Sequence, residues 1–189
     1  MLCFHRRAKA SRTSVEVATL SPVPVFVVRR AGVERAAANN KGWVAVAADG
    51  RAPASALLAR WAARHVARTG ASAVLVHITP PHGAGEAPEA ASAREAAVVE
   101  AHAALRCGGF EHVTLAPIAT SFDARDALVD LAASGVVGGP PGPPDLLVLA
   151  TRGPAPLRRA ALGAVAAYVV QHAPCALCLV PPPALAQTS

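Results

Sequence analysis

Beyond residue 42 the chain alternates short, almost uninterrupted apolar runs with segments whose apolar residues return at helical spacing. The runs are Val44 to Ala48, Ala73 to Ile78, Val113 to Ile118, Leu146 to Ala150 and Ala176 to Val180. Their length and lack of polar alternation predict strands buried on both faces, as in a parallel sheet. Between them lie four helical patterns. The first runs from Pro53 to Thr69, with Gly70 closing it. The second opens at Ser92-Ala-Arg-Glu95, which has capping-box spacing, and ends at Gly108-Gly109. The third is capped by Asp123 and ends at Ser134-Gly135. The fourth carries Leu162, Val165, Ala166, Val169 and Val170 until His172-Ala-Pro174 stops it. Strands alternating with helices predict βαβ units, hence an α/β fold: an open, mainly parallel five-stranded sheet with helices on both faces. Ligands of such sheets bind beyond the carboxyl ends of the strands, at the point where strand order reverses. Asp49, the stretch from His77 to Pro81, Thr120 and Gly153 all fall at such ends.

The segment from Asp145 to Val180 carries the most chemistry. The run Asp145-Leu-Leu-Val-Leu-Ala150 leads into Ala150-Thr-Arg-Gly153, and nine residues later come Gly163-Ala164. Glycines between the carboxyl end of a strand and the amino end of a helix leave backbone N–H groups open, and the positive end of the helix dipole favours an anion there. Arg152, Arg158 and Arg159 add charge to the same loop. The plainer alternative is an ordinary turn at Gly153 and close helix packing at Gly163, because glycine spacing by itself is a weak signal.

These residues resemble the nucleotide motif of the universal stress protein family, G-x2-G-x9-G followed by Ser or Thr. Gly153 and Gly163 match its second and third glycines with the nine-residue spacing intact, whereas Ala150 replaces the first glycine and Ala164 the hydroxyl residue. Ala167-Tyr-Val-Val-Gln-His-Ala-Pro-Cys175 resembles the family's closing segment, and Trp43-Val-Ala-Val-Ala-Ala-Asp49-Gly50 its first strand and terminal Asp. Ser55 and Arg60-Trp61-Ala62 resemble its first helix. The likeness covers residues 43–183, leaving 1–42 as a basic, disordered leader and 184–189 as a tail. It implies a Rossmann-like stress-response module, not an enzyme, that binds ATP or a related adenine nucleotide. The implied contacts are Asp49, Gly50, Val76, Arg152, Gly153, Gly163, Ala164 and Val165, with Asp49 near the adenosine part and Val76 offering backbone groups to the base. It also implies a homodimer through the last strand, Ala176 to Val180. The departures at Ala150 and Ala164 keep a second reading open, a nucleotide-free dimerisation or adaptor domain. A hydroxyl donor to phosphate is worth about 1.5–3 kcal/mol, or roughly ten- to hundredfold in affinity.

Composition narrows the partners. The net charge of +6 is concentrated in residues 1–42, which hold eight Lys/Arg against Glu16 and Glu34, while residues 43–189 hold ten of each sign. A nucleic-acid partner is therefore not expected of the domain, and only the leader has the charge for one. Arg6, Arg7, Lys9 and Arg12 with Ser and Thr have the composition of an organelle transit peptide; the apolar core of a secretory signal is missing. The expected location is cytoplasmic, with organellar import as the alternative. The longest uncharged apolar stretch, Ala160 to Val170, is too short to span a bilayer, so no membrane partner is expected. Within the leader, Val23-Pro-Val-Phe-Val-Val28 is either an added edge strand or an apolar patch, since Pro22 and Pro24 argue against an interior strand. Cys175 and Cys178 make a C-x2-C, but residues three apart on a strand face opposite ways, so no metal site is expected. The chain has no G-x-S-x-G, Walker or H-E-x2-H motif, and no catalytic residue is expected.

Overall fold

The computed structural model describes residues 12–29, 42–67, 71–79, 87–119, 123–151 and 162–182. In chain order the elements are α1 (Arg12–Leu20), β1 (Val25–Val27), β2 (Trp43–Ala48), α2 (Ala54–His65), β3 (Ser72–Thr79), α3 (Pro88–Arg106), β4 (His112–Ala119), α4 (Ala124–Ser134), β5 (Leu146–Ala150), α5 (Ala164–His172) and β6 (Ala176–Val180). They build one six-stranded sheet in the order β1-β6-β5-β2-β3-β4. Neighbours from β6 to β4 are parallel, and only β1 runs antiparallel, on the outer edge of β6. The five expected strands are all present; the sixth comes from the leader.

Apolar continuity along the strands follows from burial on both faces. Ala45 and Val46 are adjacent and both 0% exposed, yet they point into different cores. On one face α2 and α3 cover the sheet through Leu58, Trp61, Ala62, Val98, Ala101 and Leu105. The other face is covered by α4 and α5, with Leu128, Leu131, Val169 and Val170, and at its margin by Ala18 of α1. Cys175 and Cys178 fall in these opposite cores, which is why they cannot share a metal, and burial pushes the Cys178 thiol up to about 12. Among the described residues no group of His, Cys, Asp or Glu is arranged to hold a metal ion. No helix among them is long and apolar enough to cross a membrane.

Local signals account for most element ends. Asp123 caps α4, its side chain accepting from the Arg125 N–H at 2.9 Å, and Arg125 also donates to the other carboxylate oxygen at 2.6 Å. These Arg125 hydrogen bonds hold the Asp123 carboxyl below its usual range. Gly135 ends the helix with φ 88. The start of the second expected helix is different: α3 begins at Pro88, one turn before Ser92. Proline at the first helical position is already set to a helical φ and lacks an N–H that would go unbonded there, so it outcompetes the capping box. Pro117 lies within β4, which its position at the sheet edge tolerates.

The leader is not structureless throughout. Residues 12–29 contain α1 and β1, and the Val25–Val27 strand is the edge alternative realised directly after Pro24. The edge of β6 through which the resemblance implies a homodimer is occupied in this structure by β1, with Val25 opposite Leu179, Phe26 opposite Cys178 and Val27 opposite Leu177.

Candidate functional site

From β2 the chain proceeds to β3 and β4 on one side, and from β5 to β6 on the other. Strand order therefore reverses between β2 and β5, and the crevice beyond their carboxyl ends is where this sheet can admit a ligand. Asp49-Gly50 leaves β2 there, and Thr151 leaves β5.

Asp49 is exposed and shapes the turn that follows it. Its Oδ1 accepts from the Arg51 N–H at 3.0 Å and from the Ser55 hydroxyl at 3.3 Å, and Arg51 Nε lies 3.7 Å from Oδ2. The side chain is thus a turn-former. Gly50 has φ 72, a conformation that L side chains rarely adopt. A Cβ there would overlap Arg94 Cγ and lie 2.8 Å from His77 Cε1. His77 is itself buried, its Nδ1 3.1 Å from the Ala48 carbonyl oxygen. Gly50 therefore marks a place where backbone, Arg94 and His77 converge.

On the opposite wall, Gly163 is the N-cap residue of α5, with φ −58 and ψ 147 and no side-chain capping bond. Its carbonyl accepts from Ala167 at 2.9 Å, starting the helix. The N–H groups of Ala164, Val165 and Ala166 belong to the first turn, where an α-helix has no internal acceptors to offer. Ala164 is exposed and Val165 half-buried against the core. Thr151 is buried, with its N–H bonded to the Val180 carbonyl at 3.0 Å, which ties the end of β5 to that of β6.

Val76 is placed differently from what the resemblance implies. It is 1% exposed and sits within the ladders, opposite Ala47 of β2 and Ala116 of β4. Its backbone groups are therefore engaged by the sheet. The pairing of β2 with β3 ends at Ala48 and His77, so Ile78 and Thr79 run past the last β2 partner and are the β3 residues that border the crevice. Arg152, Gly153, Arg158, Arg159, Pro80, Pro81 and Thr120 lie outside the described residues.

His77 was expected here, as the start of the stretch that ends β3, whereas Ser55 and Arg94 were not singled out for this site by the sequence. Ser55 had a local signal, its place six residues after Asp49; Arg94 reaches Gly50 from α3. A groove of about 560 Å³ on the α2–α3 face, lined by Arg60, Arg64, Glu100 and Cys107 among small residues, is separate from the crevice. It follows the carboxyl halves of two helices and holds the Arg60–Glu100 pair at 3.2 Å.

The model of the universal stress protein family matches residues 44–181. Comparison with curated protein sequences finds no match. Among solved structures, a universal stress protein from Archaeoglobus fulgidus is similar with a TM-score of 0.59 at 20% identity, over 72% of this chain and 96% of that one. The Archaeoglobus fulgidus protein in complex with dAMP gives 0.53 at 19% identity, over 72% and 95%. A universal stress protein in complex with cAMP gives 0.54 at 24% identity, over 76% of this chain and 98% of that one.

Proposed function

Because the chain belongs to the universal stress protein family, we propose that it is a stress-response module that binds ATP or a related adenine nucleotide in the crevice between the carboxyl ends of β2 and β5, and that it acts by binding and not by catalysis. The observation that carries this reading is the pairing of β2 with β5, which brings the turn leaving one strand and the helix that follows the other to the same edge of the sheet. One wall is the Asp49-Gly50 turn, a hydrogen-bonding edge suited to a ribose or base. The other is the first turn of α5, where Gly163 has no side chain to cap the amides that phosphate oxygens would meet. Similar structures that hold dAMP and cAMP support an adenine nucleotide as the ligand class. In this reading Asp49, Gly50, Gly163, Ala164 and Val165 contribute from the described walls, and Arg152 and Gly153 complete the phosphate loop.

Ala164 has no hydroxyl to give a phosphate, so affinity rests more heavily on backbone amides and nearby arginines than it would with Ser or Thr. Ligand occupancy then serves as a signal to partners, with any hydrolysis slow and incidental.

Gly163→Asp tests this directly. The φ and ψ of Gly163 suit any residue, and Asp at an N-cap accepts from the first-turn amides, so the fold keeps or gains a few tenths of a kcal/mol. The same carboxylate occupies the phosphate position. Calorimetric titration with ATP and with AMP should show saturable binding to the natural chain and a loss of about tenfold or more in the variant, at unchanged melting temperature. Equal affinity in both proteins would remove α5 from the site. No binding by the natural chain below the millimolar range would favour the nucleotide-free adaptor instead.

A further inference from the structure

We infer that α1 and β1 form a self-complementing strap, which keeps the chain monomeric by occupying the edge that β6 would otherwise offer to β6 of a second copy. The inference concerns the opposite side of β5 from the nucleotide crevice and does not rest on the nucleotide reading.

β6 is apolar and buried from Leu177 to Val180, and its inner edge is paired to β5 over five register positions. An outer edge of this kind, left bare, is a template for another strand. β1 covers it antiparallel, but over only three positions, Val25 to Val27 against Leu179 to Leu177. A second copy of β6 related by a two-fold axis also approaches antiparallel, and its five residues can extend the ladder beyond the three that β1 provides. Both occupants need the same outward-facing N–H and C=O groups of Leu177 and Leu179, so they exclude each other.

The strap is lightly fastened. Of its described large apolar residues only Val27 is buried, while Val17, Leu20, Val23, Phe26 and Val28 are each more than half exposed. Those five make up most of the eight large apolar residues found exposed among the described residues, so an uncovered apolar surface is concentrated on this one segment. The polar fastening is Arg29, whose Nη2 donates to the Val170 carbonyl in the last turn of α5, where helix carbonyls have no internal donor. Ala18 adds a small contact beneath α1. Such a closure is strong enough to fill the edge in a single chain and weak enough to yield to a longer ladder. Burial of Val27 alone favours the closed strap roughly tenfold or more. Because two chains must open to pair, releasing it improves dimerisation by about a hundredfold.

The test uses the full chain and two substitutions. Val27→Asp places a charge in the core under β1 and should release the strap. Hydrogen exchange at Leu177 and Leu179 reports whether the edge has opened, and light scattering gives the mass against 19.1 kDa for one chain. The natural chain should stay monomeric from micromolar to submillimolar concentration, and the variant should become a dimer within that range. A folded variant with an exchanging β6 edge that remains monomeric overturns the inference. Phe26→Cys supplies the converse. It stands opposite Cys178, where directly opposed strand positions lie within about 4.5–5.5 Å, near the Cβ separation of a disulfide. Oxidised during refolding, with Cys3→Ser and Cys107→Ser removing the thiols that could link two chains, the locked strap should be monomeric at every concentration. A dimer in that state would overturn the inference even if Val27→Asp failed to fold.

Discussion

Gly50→Ala is the substitution whose cost can be worked out most fully from the structure. A methyl group at φ 72 brings roughly 1–2 kcal/mol of backbone strain. The new Cβ would lie 2.8 Å from His77 Cε1, and the ring cannot retreat without loosening its contact with the Ala48 carbonyl; a hydrogen bond of that kind is worth about 0.5–1.5 kcal/mol. Arg94 is half-buried and the overlap is with its Cγ, so its side chain must shift as well and adds to the cost. Against these stands the lower entropy of an unfolded chain with alanine, about 0.4–1 kcal/mol. The balance is a loss of about 2 kcal/mol, which for a chain of this size lowers Tm by about 4–8 °C. Thermal unfolding followed by far-UV circular dichroism measures it. In a His77→Ala background the same change should cost less, because the ring overlap is gone while the strain at φ remains. A Gly50→Ala protein as stable as the parent, or more so, would refute the left-handed turn that aims Asp49.

Other outcomes follow from the same geometry. Ala164→Ser returns a hydroxyl to the first turn of α5, and nucleotide affinity measured by calorimetry should rise by about tenfold or more; unchanged affinity would mean that phosphate does not approach residue 164. Cys178, whose thiol burial pushes up to about 12, is thiolate in roughly one chain in ten thousand at pH 8. Peptide mapping after maleimide labelling of the folded protein should therefore find exposed Cys107 modified and Cys178 spared, with Cys178 reacting only after denaturation. Rapid labelling of Cys178 in folded protein would contradict its burial between α2 and the sheet.

The strands were legible because burial on both faces writes itself as unbroken apolar sequence, as with Ala45 and Val46. Asp123 and Gly135 were legible for the same local reason: capping and positive φ are demands made within one turn. The start of α3 was not, since two competing local signals, Pro88 and Ser92, lie four residues apart and the helix begins at the earlier one. The pairing of β1 with β6 joins residues about 150 positions apart, and nothing near Val25 announces that partner. In the site, Asp49 could be located from the end of its strand, whereas the contacts of Gly50 with Arg94 and His77 depend on α3 and β3 folding back over the same turn. Val76 shows the reverse error: a position carried over by resemblance, which the register places inside the sheet.

The most direct measurement is a nucleotide titration followed by backbone amide resonances of the full chain. Binding in the crevice between β2 and β5 should shift Asp49, Gly50, Ala164 and Val165 together, saturably and with one dissociation constant, while Val25 to Val27 and the α2–α3 groove remain unchanged. Saturable shifts confined to another surface, or none at millimolar ATP, would contradict it.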